Sequence, residues 1–208
     1  MIGNLVISNM HPMLKSVLAA RASAKYEDAH RFIQDVIIEV NLKLWKLEQC
    51  IDEKYMKTED FINFFYKTLV KATLDQRREK IKLFSNIIVN SALKENADEN
   101  DGRKYLFDET IDKIDEKLFE FLLRASTRYL DGFGLKAEGW KGSEEDLKLL
   151  GVDSKAFHFN AEYLLGVGAM VRLPKFEMKP ETGELLYHEE YFVTQYGKEF
   201  VAYVRERA

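Results

Sequence analysis

The sequence predicts a mainly α-helical protein with a smaller α+β part that contains a β-hairpin near its C-terminal end. Three observations lead to this fold class. Apolar residues recur at helical spacing as far as about residue 129, and a glycine-rich stretch, "DGFGLKAEGWKG", then interrupts the pattern. Two strand-like segments, "AMVRLPKFEM" and "LLYHEEYFV", follow on either side of the turn sequence "KPETGE".

Composition and charge limit the classes of function. The chain has 208 residues, of which 46% are apolar and 12% aromatic, so it can bury a sizeable core. The formal charge of −4 is too balanced to indicate nucleic acid or an anionic membrane as the partner. The opening "MIGNLVISNM" contains no secretory signal or membrane span, which predicts a cytoplasmic protein without a membrane partner. Cys50 is the only cysteine, so an internal disulfide and a cysteine-based zinc site are excluded.

The first predicted helix covers residues 21–54, which contain neither Gly nor Pro. Apolar residues follow steps of four and three along it, as they do in the seam of a coiled coil. Ile38, Leu42 and Trp45 are also apolar but lie off this seam, so burial inside a bundle is favoured over a dimer interface, and both interpretations stay open. The candidate interface residues of a homo-oligomer are Ile33, Ile37, Val40, Leu44, Leu47 and Ile51.

Three more helices are predicted before the glycine-rich stretch. Thr58 caps a helix that runs to about Thr73, and Asp75 caps a third helix over residues 76–95. The most regular apolar stripe of the chain runs over residues 108–129. The short joints between the first three helices predict antiparallel neighbours, and the polar run "ENADENDGRK" separates them from the fourth. The predicted domains are therefore an N-terminal helical bundle over residues 1–104 and a C-terminal module over residues 105–208, with the helix at 105–130 shared between them or linking them.

The C-terminal module begins with short helices that have recognisable caps. Ser143 and Asp146 have the form of a capping box, although Asp replaces the usual Glu or Gln. Gly151 ends this helix, and Asp153 or Ser154 caps the next one.

From about residue 107 onward, the predicted order is helix, helix, helix, strand, strand, helix. Tyr191 and Val193 fit the returning strand of a wing, Thr194 fits the cap of the last helix, and Gly197 fits a close approach between that helix and its neighbour. The stretch "LLGVGAMVR" looks like a recognition helix that runs into the first wing strand. This part resembles the winged helix-turn-helix of bacterial MarR and PadR regulators. The resemblance implies a winged-helix-like α+β module with a β-hairpin, which follows the N-terminal helical bundle predicted from the apolar spacing.

A winged helix of this type binds DNA through cations on the recognition helix and the wing. Residues 141–208 have nine Lys and Arg against twelve Asp and Glu, a net charge of −3, whereas residues 1–97 have fifteen against twelve, a net charge of +3. The part that would bind DNA is thus acidic, which disfavours contacts to phosphates. The other interpretation is a wing that docks a protein through Phe176 and Tyr187. The nucleic-acid-binding candidates are Lys155, Asn160, Arg172, Lys175 and Lys179.

The N-terminal stretch from "YEDAHRFIQDVIIEV" through "REKIKLFSNIIVNSA" resembles helical regions of bacterial mobile-element proteins, including abortive-infection alpha proteins. Some of these proteins also end in a "T-x-x-G-x-x-F" element, which Thr194, Gly197 and Phe200 match. No catalytic residue follows from this resemblance.

Catalytic and metal-binding patterns are sparse. Glu27 and His30 have the Glu-x-x-His spacing of di-iron bundles, but the chain has no second copy, so a core or interface histidine is favoured. His158 and Glu162 lie one helical turn apart without a third ligand, and His188 has no recognisable partner. The sequence therefore predicts no catalytic residues, no metal and no cofactor.

The leading functional hypothesis is a non-enzymatic bacterial binding protein. It would act as a regulatory or defence-associated adaptor whose winged-helix-like module binds protein or DNA. The alternative is an enzyme whose site is assembled between the helical bundle and the C-terminal module.

Overall fold

The computed structural model of the chain describes residues 27–75, 80–127 and 139–205. Most of the glycine-rich stretch and the N-terminal residues 1–26 lie outside the described residues. Four side chains named above also lie outside the described part: Glu27, His30, Ile33 and Asp75. The Glu-x-x-His pair and the Asp75 cap therefore lie outside it too.

The fold class predicted from the sequence is confirmed: the chain is mainly helical and carries an antiparallel two-stranded hairpin that is followed by a last helix. Within the described residues, no helix has the length and apolar character needed to cross a membrane. The helices are α1 (Glu27–Lys46), α2 (Glu59–Asp75), α3 (Ile81–Ser91), α4 (Arg103–Lys113), α5 (Glu116–Ala125), α6 (Glu144–Leu150), α7 (Ser154–Gly166) and α8 (Gln195–Val204), and the strands are β1 (Met170–Met178) and β2 (Leu185–Val193).

Three predicted helices are wrong in extent. The first ends at Lys46 and the third at Ser91, because the segments after them pair with each other: the Asp52 N–H donates to the Ala92 carbonyl at 2.9 Å, and the Lys94 N–H donates to the Cys50 carbonyl at 2.9 Å. The stripe at 108–129 is divided between α4 and α5, because Ile114 takes an extended backbone conformation with ψ 156° and buries its side chain.

The described chain divides into two compact units. Unit 1 comprises the described residues up to Asp115 together with 203–205, and unit 2 comprises residues 116–202 without the gap. In unit 1, α1 packs against α2 and α3, and α4 packs against the same two helices. The core is built from aliphatic and aromatic side chains that include Val36, Val40, Leu44, Phe64, Phe84, Ile88, Phe107 and Ile111.

The seam of α1 faces this core. Val40, Leu44 and Ile51 are buried within unit 1, while Ile37 and Leu47 are half-buried. The apolar residues on the other side, Ile38, Leu42 and Trp45, are exposed. An interface through the seam stays a prediction, but three of its side chains are already covered by their own chain.

Unit 2 begins with α5 and packs α6, α7 and the hairpin around it. The predicted caps are confirmed: Ser143 and Asp146 form a capping box, Gly151 ends α6 with a φ of 68°, and the Asp153 side chain accepts from the Ala156 N–H. The core joins aromatic rings from three elements, since Phe157 of α7 lies 6.2 Å from Phe121 and 5.6 Å from Tyr191 between ring centroids.

The hairpin pairs Met170 with Val193 at its base and Met178 with Leu185 next to the turn. Trp140 forms a single bridge to Tyr191 on the edge of β2 that does not face β1. Near the base, β2 is therefore paired with β1 on one side and with Trp140 on the other. The Trp140 indole N–H also donates to the Ala125 carbonyl at 3.0 Å, which fixes this bridge to the end of α5.

Candidate binding surface on the hairpin

The two faces of the hairpin differ in chemistry. Side chains alternate between the faces of a strand, so Phe176 and Met178 of β1 share one face with their partners Tyr187 and Leu185 of β2. Near the base, this face is covered by α7, and Met170, Tyr191 and Val193 are buried there.

Beyond the part covered by α7, the same face is open. Phe176 is 60% exposed, Tyr187 59%, Met178 67% and Leu185 59%. The Phe176 and Tyr187 rings contact each other with centroids 5.5 Å apart. We call these four side chains the distal apolar face. Four large apolar side chains exposed together on one face form the kind of contiguous patch that marks binding surfaces.

Glu190 is the centre of the opposite face. Its side chain is fully buried, and its oxygens lie 3.2 Å from Lys141 Nζ, 3.3 Å from Lys175 Nζ and 3.1 Å from His188 Nε2. The Gly139 N–H donates to the same carboxylate at 2.9 Å. Burial by itself would raise the pKa of Glu190, but the Gly139, His188, Lys141 and Lys175 hydrogen bonds outweigh it and lower the pKa to about 2. Glu190 is therefore a stably ionised buried carboxylate.

The prediction that His188 has no partner is wrong, because the register of the hairpin brings it next to Glu190 and Glu177. Ligand atoms of Glu177, His188 and Glu190 lie within 4.8 Å of one another, the one such trio within the described ranges. These groups could hold a divalent cation, but Lys141 Nζ already lies 3.3 Å from Glu177 Oε1 and 3.2 Å from Glu190 Oε1. The Lys141 ammonium group neutralises the same carboxylates that would have to bind a metal ion. The absence of a bound metal stays a prediction.

The three candidate cations on the hairpin are each held by carboxylates. Arg172 lies 3.0 Å from Glu162 of α7 and 3.5 Å from Glu189 of β2. Lys175 contacts Glu190, and Lys179 lies 2.9 Å from Glu184 across the turn. A phosphate group that approached these cations would compete with carboxylates for each of them.

The two candidates on α7 do not form one surface. Lys155 is exposed and Asn160 is half-buried. They lie five positions apart in the helix, which is roughly 140° around its axis, so their side chains point to different sides. The structure thus brings the five nucleic-acid-binding candidates to α7 and the hairpin, but it does not bring them together as a row of available cations.

A second cluster of ionisable groups lies in unit 1. Asp60 accepts from Lys104 Nζ at 2.6 Å, from the Tyr55 hydroxyl at 2.8 Å and from the Tyr105 hydroxyl at 2.9 Å. Two effects raise the pKa of Tyr105 to about 12: burial is the larger, and the hydrogen bond to Asp60 is the second. The same two effects raise the pKa of Tyr55. These side chains satisfy one another, which indicates a structural role.

Sequence reasoning missed both clusters. Lys104 lies in the polar run "ENADENDGRK", which reads as a solvated break, and its burial is decided by Asp60, which lies 44 positions away. The signal for the Glu190 cluster was present, because the predicted turn at "KPETGE" implies a register that places Lys175 beside His188.

Comparisons of the chain with protein-family models, with curated proteins and with solved structures gave no match.

Proposed function

We propose that the chain is a non-enzymatic bacterial binding protein, cytoplasmic and regulatory or defence-associated, whose C-terminal unit is a winged-helix-like module. The order of elements in unit 2 supports the module: a helix (α5), a short bridge at Trp140, two helices (α6 and α7), a hairpin and a last helix (α8). In a winged helix, α7 would be the recognition helix and the hairpin would be the wing.

One observation favours a protein partner over DNA: the wing cations are paired with carboxylates, while the distal apolar face is open. Binding to DNA is driven by unpaired Lys and Arg that release counterions from phosphates. Binding to proteins is driven by exposed aromatic and aliphatic side chains at the centre of an interface. The hairpin has the second chemistry.

The alternative as an enzyme is less well supported. The carboxylate oxygens of Asp60 in unit 1 and of Glu190 in unit 2 are each bound by neighbouring groups of the same unit. Catalytic groups need instead a polar atom that is available to a substrate.

Photo-crosslinking can test the protein-binding role in the bacterium that produces the protein. A photoreactive phenylalanine analogue is placed at position 176 on the hairpin or, in a matched variant, at position 159 on α7, where Phe159 is 67% exposed. We expect position 176 to give a discrete protease-sensitive adduct and position 159 to give none.

Other crosslinking results would favour other functions. A nuclease-sensitive adduct at position 159, together with retention of the wild type on random duplex DNA at low salt, would replace the protein-binding proposal with DNA binding. No adduct at either position and no retention on DNA would contradict both binding roles.

A further inference from the structure

We infer that the distal apolar face binds a protein segment of one particular chemistry: an amphipathic segment whose two or three apolar side chains are bordered by Lys or Arg. This inference rests on the proposed protein-binding function and names the class of partner.

The face is small. Two aromatic rings and two aliphatic side chains, each about 60% exposed, present on the order of 400 Å². A stable interface takes about 800 Å² from each partner. The distal apolar face therefore suits a short segment that binds transiently.

The same estimate argues against a stable dimer of this chain through the distal apolar face. If two hairpins paired through this face about a two-fold axis, they would bury roughly 800 Å² in total, below the approximately 1,200 Å² at which stable interfaces begin.

The charges that border the face are mainly negative. The Tyr187 hydroxyl donates to Glu189 at 3.0 Å, so a carboxylate lies directly beside the aromatic pair. On the α7 side, Arg172 lies between Glu162 and Glu189 and neutralises one of them. At the turn, Lys179 pairs with Glu184, and Glu181 is exposed.

The surrounding side chains therefore have a net negative charge. Two cations (Arg172 and Lys179) against four carboxylates (Glu162, Glu181, Glu184 and Glu189) give a net of −2. An apolar face with an acidic border attracts a segment with a basic border and repels phosphates and anionic lipids.

Peptide binding to the full chain tests this inference. The probe is a fluorescein-labelled synthetic peptide of fifteen residues with leucines at helical spacing bordered by lysines, and its matched control has glutamate in place of every lysine. We expect the lysine peptide to bind with a Kd on the order of 10–100 µM at low salt, and the glutamate peptide at least tenfold more weakly. Fluorescence anisotropy measures both affinities.

Matched variants locate the binding site. The double variant Phe176→Ser, Tyr187→Ser should weaken binding of the lysine peptide at least tenfold, because it removes the aromatic pair. Phe159→Ser removes an equally exposed aromatic residue of α7 and should leave the affinity within twofold. Both variants alter exposed side chains, so their thermal midpoints should stay close to that of the wild type.

The outcomes separate the inference from the proposed function. Equal affinity for the two peptides, or the same loss in Phe159→Ser as in the hairpin variant, overturns the inference. If a protein adduct forms at position 176 in cells but the lysine peptide neither binds nor competes with it, the docking role stands and the basic partner is wrong. If neither an adduct nor peptide binding is found, both fail.

Discussion

Gly197 lies at the start of α8, where the chain leaves the hairpin and folds back over its base. The Thr194 hydroxyl accepts from the Gly197 N–H at 3.0 Å, and the Thr194 N–H donates to the Ala169 carbonyl at 3.0 Å. A Cβ on Gly197 would overlap the Ala169 carbonyl oxygen and lie 2.9 Å from Val193 Cγ1. The cap and the close approach that the sequence predicts here are both confirmed.

Gly197→Ala should therefore destabilise the protein. The added methyl group meets backbone, which cannot rotate away, so we expect a loss of about 1–3 kcal/mol in the free energy of unfolding. Gly166→Ala is the matched control, because its Cβ would meet nothing within 4 Å at the end of α7. Urea denaturation should show Gly166→Ala at or slightly above the stability of the wild type. Equal stability of the two variants would contradict the close approach.

At Glu190, the structure predicts a dependence of stability on pH. Its ordinary pKa of 4.5 falls to about 2 in the folded chain, so its contribution is complete above pH 4.5 and is lost as the pH falls from 4.5 towards 2. Glu190→Gln should cost about 1–3 kcal/mol at pH 7, because Lys141 and Lys175 lose their common partner. The difference between wild type and variant, measured by urea denaturation from pH 7 to pH 2.5, should shrink below pH 4.5. A difference that stays constant would show that folding leaves the pKa of Glu190 unchanged, which contradicts the lowered value.

Among the elements, local signals were predictable and distant ones were not. The caps at Ser143, Asp153 and Thr194 depend on residues within three positions, and the sequence predicts each of them. The break at Ile114 has no Gly or Pro to mark it, and burial of that side chain overrides the helical pattern. The partners of Glu190 come from the loop before α6 and from both strands, so only the hairpin register brings them together.

Two neighbouring residues at the start of α4, Arg103 and Lys104, form an exposed and a buried ion pair that can be compared directly. Lys104 is 1% exposed and binds Asp60 between two tyrosine rings, with its Nζ about 5.4 Å from the Tyr55 centroid, whereas Arg103 pairs with Asp101 at the surface. Lys104→Met should cost about 2–4 kcal/mol, because it leaves the Asp60 charge with only hydroxyl partners. Arg103→Gln should cost at most about 1 kcal/mol, as exposed pairs do. Thermal denaturation measures both, and equal losses would contradict a structural role for the Asp60 cluster.

For the whole molecule, the distribution of ion pairs explains more than the net charge. A total of −4 says little about a partner, but the described hairpin uses its cations to hold carboxylates in place. Charge reversal of Arg172, which from the sequence would alter a surface contact to DNA, would instead bring a third acidic side chain beside Glu162 and Glu189. Loss of DNA retention in that variant would therefore report on folding as well as on binding, and Lys155→Glu is the cleaner test.

The structure changes which residues of α1 are available to form the predicted homo-oligomer. The seam residues Val40 and Leu44 are buried by α2 and α3 of the same chain, so pairing through them would require unit 1 to open. The exposed residues of α1 follow the same steps of four and three, from Ile38 to Leu42 to Trp45, and can meet a second copy without opening. We expect self-association to use these three residues.

Light scattering over a hundredfold range of concentration measures this association. Three side chains exposed by somewhat more than half bury only on the order of 600 Å² in a pair, so a rise in mass is expected only at the upper end of the range. Leu42→Glu should abolish the rise, because each copy would place a carboxylate in the contact. Leu74→Glu changes an exposed leucine near the end of α2 and should leave the rise unchanged. A single mass for the wild type at every concentration would end the prediction of an oligomer and leave the seam of α1 as part of a monomeric core.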